Sequence, residues 1–262
     1  MNAVVTIWGK QLRKMVVHPE EIIGLLIQPV LWVLLFGFGM RGLMDATSGG
    51  SSQGNYLTFM VPGIVALAAL GGAIGGGNEW LTERLRGFVK EYLVAPIPRF
   101  SILAGNTLTI LTKTLIQALV ILGLGFLIGA QGGGSLIGWL VTLVLIGGYA
   151  AGFAGIALAT ASSTDSPGGY HMLIFILNMP LLFASNALYP LATLPTWMRI
   201  VALMNPTTHL VSGMRGVLFG NGAAFAAENT LPLWTSFLAV FAFAGFGLIL
   251  AARAFSRSIR KV

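Results

Sequence analysis

The sequence predicts an all-α polytopic membrane protein. Three observations carry this. The 262-residue chain is 56% hydrophobic and only 9% charged, whereas a soluble domain carries about 25% charged side chains. Its mean hydropathy is +0.85. Its apolar residues gather into runs of about 20, the length of helix that crosses a bilayer while satisfying its own backbone. There is no cysteine, which removes disulfides and thiolate metal sites. The net charge of +7 falls between the apolar runs, so it reads as orientation in a membrane and not as a nucleic-acid footprint.

Residues 1–19 come first. At about 100° per residue, Val4, Val5, Trp8, Leu12, Met15 and Val16 share one face, and Lys10, Arg13 and Lys14 the opposite one. This predicts an amphipathic helix lying on the membrane surface, ended by His18-Pro19. The apolar run that follows is long enough to span, so the start is not read as a secretory signal.

Six transmembrane helices are expected, near 22–42, 57–78, 106–130, 136–161, 171–190 and 231–252, in a domain of residues 20–255. Lys113 falls early in the third, and Asn178 and Pro180 interrupt the fifth. Gly71/Gly75, Gly72/Gly76, Gly125/Gly129 and Gly148/Gly152 have the spacing that lets helices approach closely. "GGAIGGG" at 71–77 is not a phosphate loop, because no Lys-Ser/Thr follows it. Residues 191–220 are apolar but broken by Asn205-Pro206 and glycines, and are expected to form short re-entrant helices on the outer side. Residues 256–262 are a basic tail.

Six spans put both termini on one side. Lys10, Arg13, Lys14, Arg84, Arg86, Lys90, Arg99, Arg253, Arg257, Arg260 and Lys261 would share that side, with only Arg41, Arg199 and Arg215 opposite. The positive-inside rule then makes both termini cytoplasmic.

The stretch "TERLRGFVKEYLVAPIPR" at 82–99 is unusual in so apolar a chain. Within 80–94, Leu81, Leu85, Phe88, Val89 and Tyr92 share a helical face, and Glu83, Arg84, Arg86, Lys90 and Glu91 occupy the rest. Exposed pairs of this kind contribute only about 0.2–0.5 kcal/mol each, so stability does not explain the cluster. Two readings remain, a solvated topology signal or a short helix that docks a cytoplasmic protein. "APIP" at 95–98 turns the chain back toward the next span.

No residue set suggests catalysis. His18, His171 and His209 fall in three separate segments without metal-ligand spacing. Asp45, Asp165 and Glu228 read as loop residues, while Glu79, at the end of the second span, is placed to anchor Arg84 or Lys113 or to sit plainly at the interface. Without a mid-membrane acid, an ion-coupled transporter is disfavoured. Gln28 with Trp32 in the first span, and Phe175, Asn178, Met179 and Phe183 in the fifth, are candidates to line a translocation path. Ordinary helix packing accounts for each of them taken singly.

Three motifs in order give a resemblance. "YLTFMVPGIVA" at 56–66, "ERLRGFVKEYLVAPIPR" at 83–99 and "FASNALYPLATLPTWMRIVALMNPTTHLVSGMRGVLFG" at 183–220 resemble the ABC-2 class of bacterial ATP-binding-cassette export permeases, the class of the daunorubicin-resistance and Nod-factor permeases. The resemblance covers nearly the whole chain. It implies that 80–94 is a cytoplasmic coupling helix, with Glu83, Arg84, Arg86, Phe88, Lys90 and Glu91 facing an ATPase. It implies that Trp8, Lys10, Arg13 and Lys14 belong to a connecting helix beside it. Asn205, Pro206, His209 and Arg215 would belong to an extracytoplasmic gate. It implies two such permeases, simplest as a homodimer in the bacterial inner membrane, with two ATPase subunits that bind ATP and Mg; the chain itself would hold no cofactor or metal. The chain departs from the class in Lys90-Glu91 where many relatives have two acids. A non-transporting membrane scaffold that recruits a cytoplasmic protein is the alternative.

Overall fold

The structure, a computed structural model, describes residues 3–39, 53–88, 98–219 and 231–258. Nine α-helices occur among them: α1 (Ala3–Val17), α2 (Pro19–Gly39), α3 (Gln53–Leu85), α4 (Arg99–Ile128), α5 (Leu136–Ser163), α6 (Pro167–Phe183), α7 (Thr196–Met204), α8 (Pro206–Met214) and α9 (Leu233–Ser258). A 3-10 turn at Leu191–Thr193 precedes α7, and a π turn at Arg215–Phe219 follows α8.

Local chemistry sets the boundaries. Pro19 opens α2, where its missing N–H costs nothing, and Glu20 and Glu21 complement the helix dipole. Ser135 caps α5 by accepting from Gly138 N, and Ser166 caps α6 by accepting from Gly169 N. α4 stops at Gly129, whose φ of 119° is open to glycine; Ala130 N then donates to Gly125 O at 2.9 Å.

α3 and α5 form the buried centre. Val61, Val65, Ala66 and Ala73 on α3, and Leu145, Ile146, Ala150 and Ala154 on α5, are fully enclosed. α9 runs parallel to α5, with Gly148 against Val240, Gly152 against Phe243 and Gly155 against Gly247. A methyl group added at Gly155 would run into the Gly247 backbone. This close approach extends the predicted Gly148/Gly152 pair by a third glycine.

Three expectations are corrected. Among the described residues five helices, not six, are long and apolar enough to cross a membrane: Pro19–Phe36, Leu57–Leu85, Phe100–Ile128, Leu136–Ser163 and Leu233–Arg257. The segment expected at 171–190 is α6, of 17 residues, about 26 Å against a hydrocarbon layer of about 30 Å. Past Phe183 the sequence turns polar at Ser185-Asn186 before the apolar residues resume at Ala187. Asn186 Nδ2 donates to Ser212 Oγ at 2.8 Å and Asn186 N to Thr208 Oγ1 at 3.3 Å, which draws the chain into the bundle.

The expected re-entrant helices in 191–220 are not found. α8 is packed inside, with Thr208, Leu210, Val211, Ser212 and Met214 all fully buried. α7 lies outside it with Trp197 and Met204 exposed. The interruption at Asn205-Pro206 marks the junction between the largely exposed α7 and the buried α8.

The coupling helix expected over 80–94 is not a separate element at its start. Residues 80–85 are the last turns of α3. At 33 residues, α3 is about 50 Å long and outruns the apolar layer, so its sequence turns polar without the helix breaking. It stops at Arg86-Gly87, where Gly87 takes φ 84°. Residues 89–97, with Lys90 and Glu91, lie outside the described residues, as do the tail residues 259–262.

Candidate coupling site at the α1 end of the bundle

The polar end of α3 is held from two sides. On one side stands α1. Its buried stripe is Ile7, Gln11 and Met15, while Val5, Val16 and Val17 are exposed. Ile7 fits against Gly105 of α4, where an added Cβ would meet its side chain at 2.9 Å. Trp8 Nε1 donates to Thr112 Oγ1 at 3.0 Å, and Gln11 Nε2 to Glu83 Oε1 at 3.0 Å. Gln11 is the one polar residue of that stripe, a sign available in the sequence and missed there.

Charges of alternating sign continue the contact. Lys14 Nζ lies 2.6 Å from Glu21, whose carboxylate raises the Lys14 pKa above its ordinary value. Glu21 lies 4.0 Å from Lys113 Nζ, which donates to both Glu79 oxygens at 2.8 and 3.0 Å. Lys113 is enclosed in α4, so its charge stands near two carboxylates and not alone. Four helices, α1 to α4, are tied by these four side chains. Gln117, one turn further along α4, donates to Leu25 O at 2.7 Å. That carbonyl lacks its helical partner because Pro29 has no N–H.

On the other side stands the end of α5. Arg84 donates to Ser162 O at 2.6 Å, to Thr164 O, and to Asp165 Oδ1 at 2.9 Å. Asp165 is 94% exposed, so the ion pair contributes little. The carbonyls matter more, because the last C=O groups of a helix lack internal partners and carry its negative end. Trp80 Nε1 donates to Ser162 Oγ at 3.1 Å, and its ring lies 5.5 Å from Phe255 of α9. The N-terminal helix and the end of α9 therefore meet at the same end of α3.

Of the residues expected to face a partner, Glu83 and Arg84 thus make contacts within the chain, and one Glu83 oxygen, Oε2, has no hydrogen-bond partner. Arg86 and Phe88 are exposed beyond them, as are Lys10 and Arg13 on α1.

The path candidates divide between two helices. On α2, Gln28 is exposed and Trp32 stacks on Phe36 at 5.2 Å. On α6, Phe175 and Phe183 are exposed, Met179 is half-buried, and Asn178 meets a small cavity lined by Leu70, Ala73, Phe153 and Ile174, with its Oδ1 unbonded. α2 packs on α3 and α4, whereas α6 packs on α3 and α5.

The gate candidates are built into the far end. Asn205 caps α8 by accepting from Thr207 N at 2.9 Å, and donates to Leu181 O of α6 and to Ala184 O just past its end, both at 2.7 Å. Pro206 is the first residue of α8, and His209 Nε2 donates to Leu203 O at 2.8 Å. Arg215 is fully buried. It donates to Phe59 O at 2.8 and 3.3 Å and to Asn186 O at 3.0 Å, with its guanidinium 3.6 Å above the Phe59 ring. Burial lowers its pKa to about 9, which leaves it charged at neutral pH.

Among the described residues no group of three or more His, Cys, Asp or Glu is placed to hold a metal ion. Three elements, α1, α5 and α9, converge on the last turns of α3.

The chain is similar to a protein of Cyanophora paradoxa described as a transport permease, ycf38, at 31% identity over 202 residues, covering 76% of this chain and 68% of that one. It is 24% identical over 227 residues to the daunorubicin resistance ABC transporter permease protein DrrB1 of Streptomyces coeruleorubidus, covering 86% and 77%. It is 23% identical over 237 residues to the inner membrane transport permease YadH of Escherichia coli, covering 90% and 87%. Residues 2–219 match the family described as ABC-2 type transporter, and with most of its length inside that match the chain belongs to this family of multi-pass membrane permeases.

Proposed function

We propose that the chain is the membrane-spanning half of an ATP-driven exporter, worked by separate ATPase subunits that dock at the α1 end. The carrying observation is the clasp on α3: Gln11 holds Glu83 from one side, and Arg84 holds the end of α5 from the other. A push on exposed Arg86, Arg13 or Lys10 would reach α1, α3, α4 and α5 through these contacts, with Phe88 exposed just past the Gly87 break.

Binding and hydrolysis of ATP and Mg belong to the partner in this reading, since the chain has no Gly-rich loop ending in Lys-Ser/Thr. Closure of two ATPases would move the clasp and tilt α3 between inward-open and outward-open arrangements. Two copies of the chain form the working permease, as a homodimer. The α1 end faces the cytoplasm of a bacterial inner membrane, because the basic residues gather there. The exposed aromatic residues of α2 and α6 suit an amphiphilic cargo, whether lipid-like, drug-like or glycan. Likeness to the daunorubicin resistance permease favours export as the direction.

The test is purification from native membranes in mild detergent, with mass spectrometry of what remains bound and an ATPase assay of the same sample. An ATPase retained at about one per chain, and lost in the R86E/E91R variant, supports the reading. A folded chain with no ATPase partner and no nucleotide-dependent activity refutes it and leaves a non-transporting scaffold.

A further inference from the structure

We propose that the outer face of α9 at its basic end binds an anionic phospholipid. Ile249, Ala252, Arg253, Ser256 and Arg257 line an open groove of about 450 Å³ there. Both arginines are exposed. Neither has an ion-pair partner among the described residues. Ser256 donates its hydroxyl to Ala252 O at 2.8 Å, so the two guanidinium groups are the donors that a ligand meets.

Direction follows from helix geometry. Phe255, 5% exposed, faces Trp80 in the bundle. Arg253 and Arg257 each lie two residues from it, about 200° around the helix, and so point outward. Phe246 and Ile249, exposed by 57% and 53%, fall within about 60° of Arg253 on the same face. The face is thus an apolar strip crowned by two cations. Arg253 is also about 30 Å along the axis from Leu233, the start of the span, which is the thickness of the hydrocarbon layer.

That pairing selects the occupant. An acidic protein or a free phosphate would satisfy the arginines and leave Phe246 and Ile249 uncovered. A phospholipid with an anionic head places its phosphate between Arg253 and Arg257, where guanidinium groups form forked hydrogen bonds, and lays its acyl chains along the strip. Basic residues at the end of a span attract such heads. The site is independent of which leaflet the α1 end faces and of what the permease carries.

The experiment titrates the purified full chain in detergent with phosphatidylglycerol or phosphatidylcholine of the same acyl chains, counting bound lipid by native mass spectrometry. Phosphatidylglycerol is expected to bind about 30-fold more tightly, about 5-fold for each arginine. The R253Q/R257Q variant should lose that preference. The R13Q/R86Q variant, which removes the same charge elsewhere at that end, should keep it, and glycerol phosphate should not displace the lipid. Equal binding of the two lipids by the natural chain, equal loss in both variants, an unchanged preference in R253Q/R257Q, or displacement by glycerol phosphate would each overturn the proposal. The comparison of lipids on the natural chain stands even if a variant misfolds.

Discussion

Arg215 gives the sharpest test of how the bundle is held. Its guanidinium joins the start of α3 to the turn after α6, through Phe59 O at 2.8 Å and Asn186 O at 3.0 Å. Charged hydrogen bonds of this kind contribute about 1.5–3 kcal/mol each, and a desolvated cation over a ring about 2 kcal/mol. Against these stands the burial of a cation with no carboxylate beside it among the described residues, which costs several kcal/mol. Truncation in Arg215→Ala also leaves the Asn186 carbonyl without this donor and opens a void, so a net loss of about 3 kcal/mol is expected. For a chain of this length that lowers the melting temperature by about 6–12 °C. Arg215→Met separates the terms, since it fills the space and removes both donors and charge; a loss of about 2 kcal/mol is expected. Thermal unfolding in detergent, followed by size-exclusion fluorescence, reads both. A melting temperature of Arg215→Met at or above that of the natural protein would refute the reasoning, because desolvation would then outweigh the hydrogen bonds.

Four further outcomes are expected. The chain has no cysteine, so Ile7→Cys with Gly105→Cys should form a disulfide on mild oxidation, given an added Cβ at Gly105 only 2.9 Å from that of Ile7; no cross-link on a denaturing gel would mean that α1 does not dock on α4. The double variant Glu79→Gln with Lys113→Gln should destabilise less than the sum of the two single variants, by a coupling of about 1 kcal/mol after allowance for the exposure of Glu79; additive melting shifts would mean that the two side chains do not interact. Gly155→Leu should abolish the monodisperse folded protein by forcing α9 off α5, while Gly245→Ala, which meets nothing within 4 Å, should elute normally. Because Glu21 raises the Lys14 pKa, the stabilisation from that pair is fully present below the ordinary lysine value of 10.5 and is lost as pH rises through the raised one. An environment-sensitive dye on Gly9→Cys should report a transition of α1 only above that value, and none in a chain that also carries Lys14→Gln.

The sequence by itself determined that the chain is helical and crosses a membrane more than once, because runs of about 20 apolar residues have no other way to satisfy their backbone in lipid. It also placed the boundary of α1 at His18-Pro19 and the glycine contact of α5, since proline and glycine act locally. Only the tertiary structure decided the rest. Apolar composition could not tell a span from a packed helix, so α6 was expected to run on through Asn186, whose hydrogen bond to Ser212 turns the chain inward. Nor could it tell a new helix from the overhang of a long one at 80–85. Glu83 and Arg84 were expected to face a partner subunit, because their contacts within the chain, Gln11 and the carbonyl of Ser162, lie 72 and 78 residues away in sequence. A charge shows its sign in the sequence, but what neutralises it is set by which helices meet, and that is a property of packing.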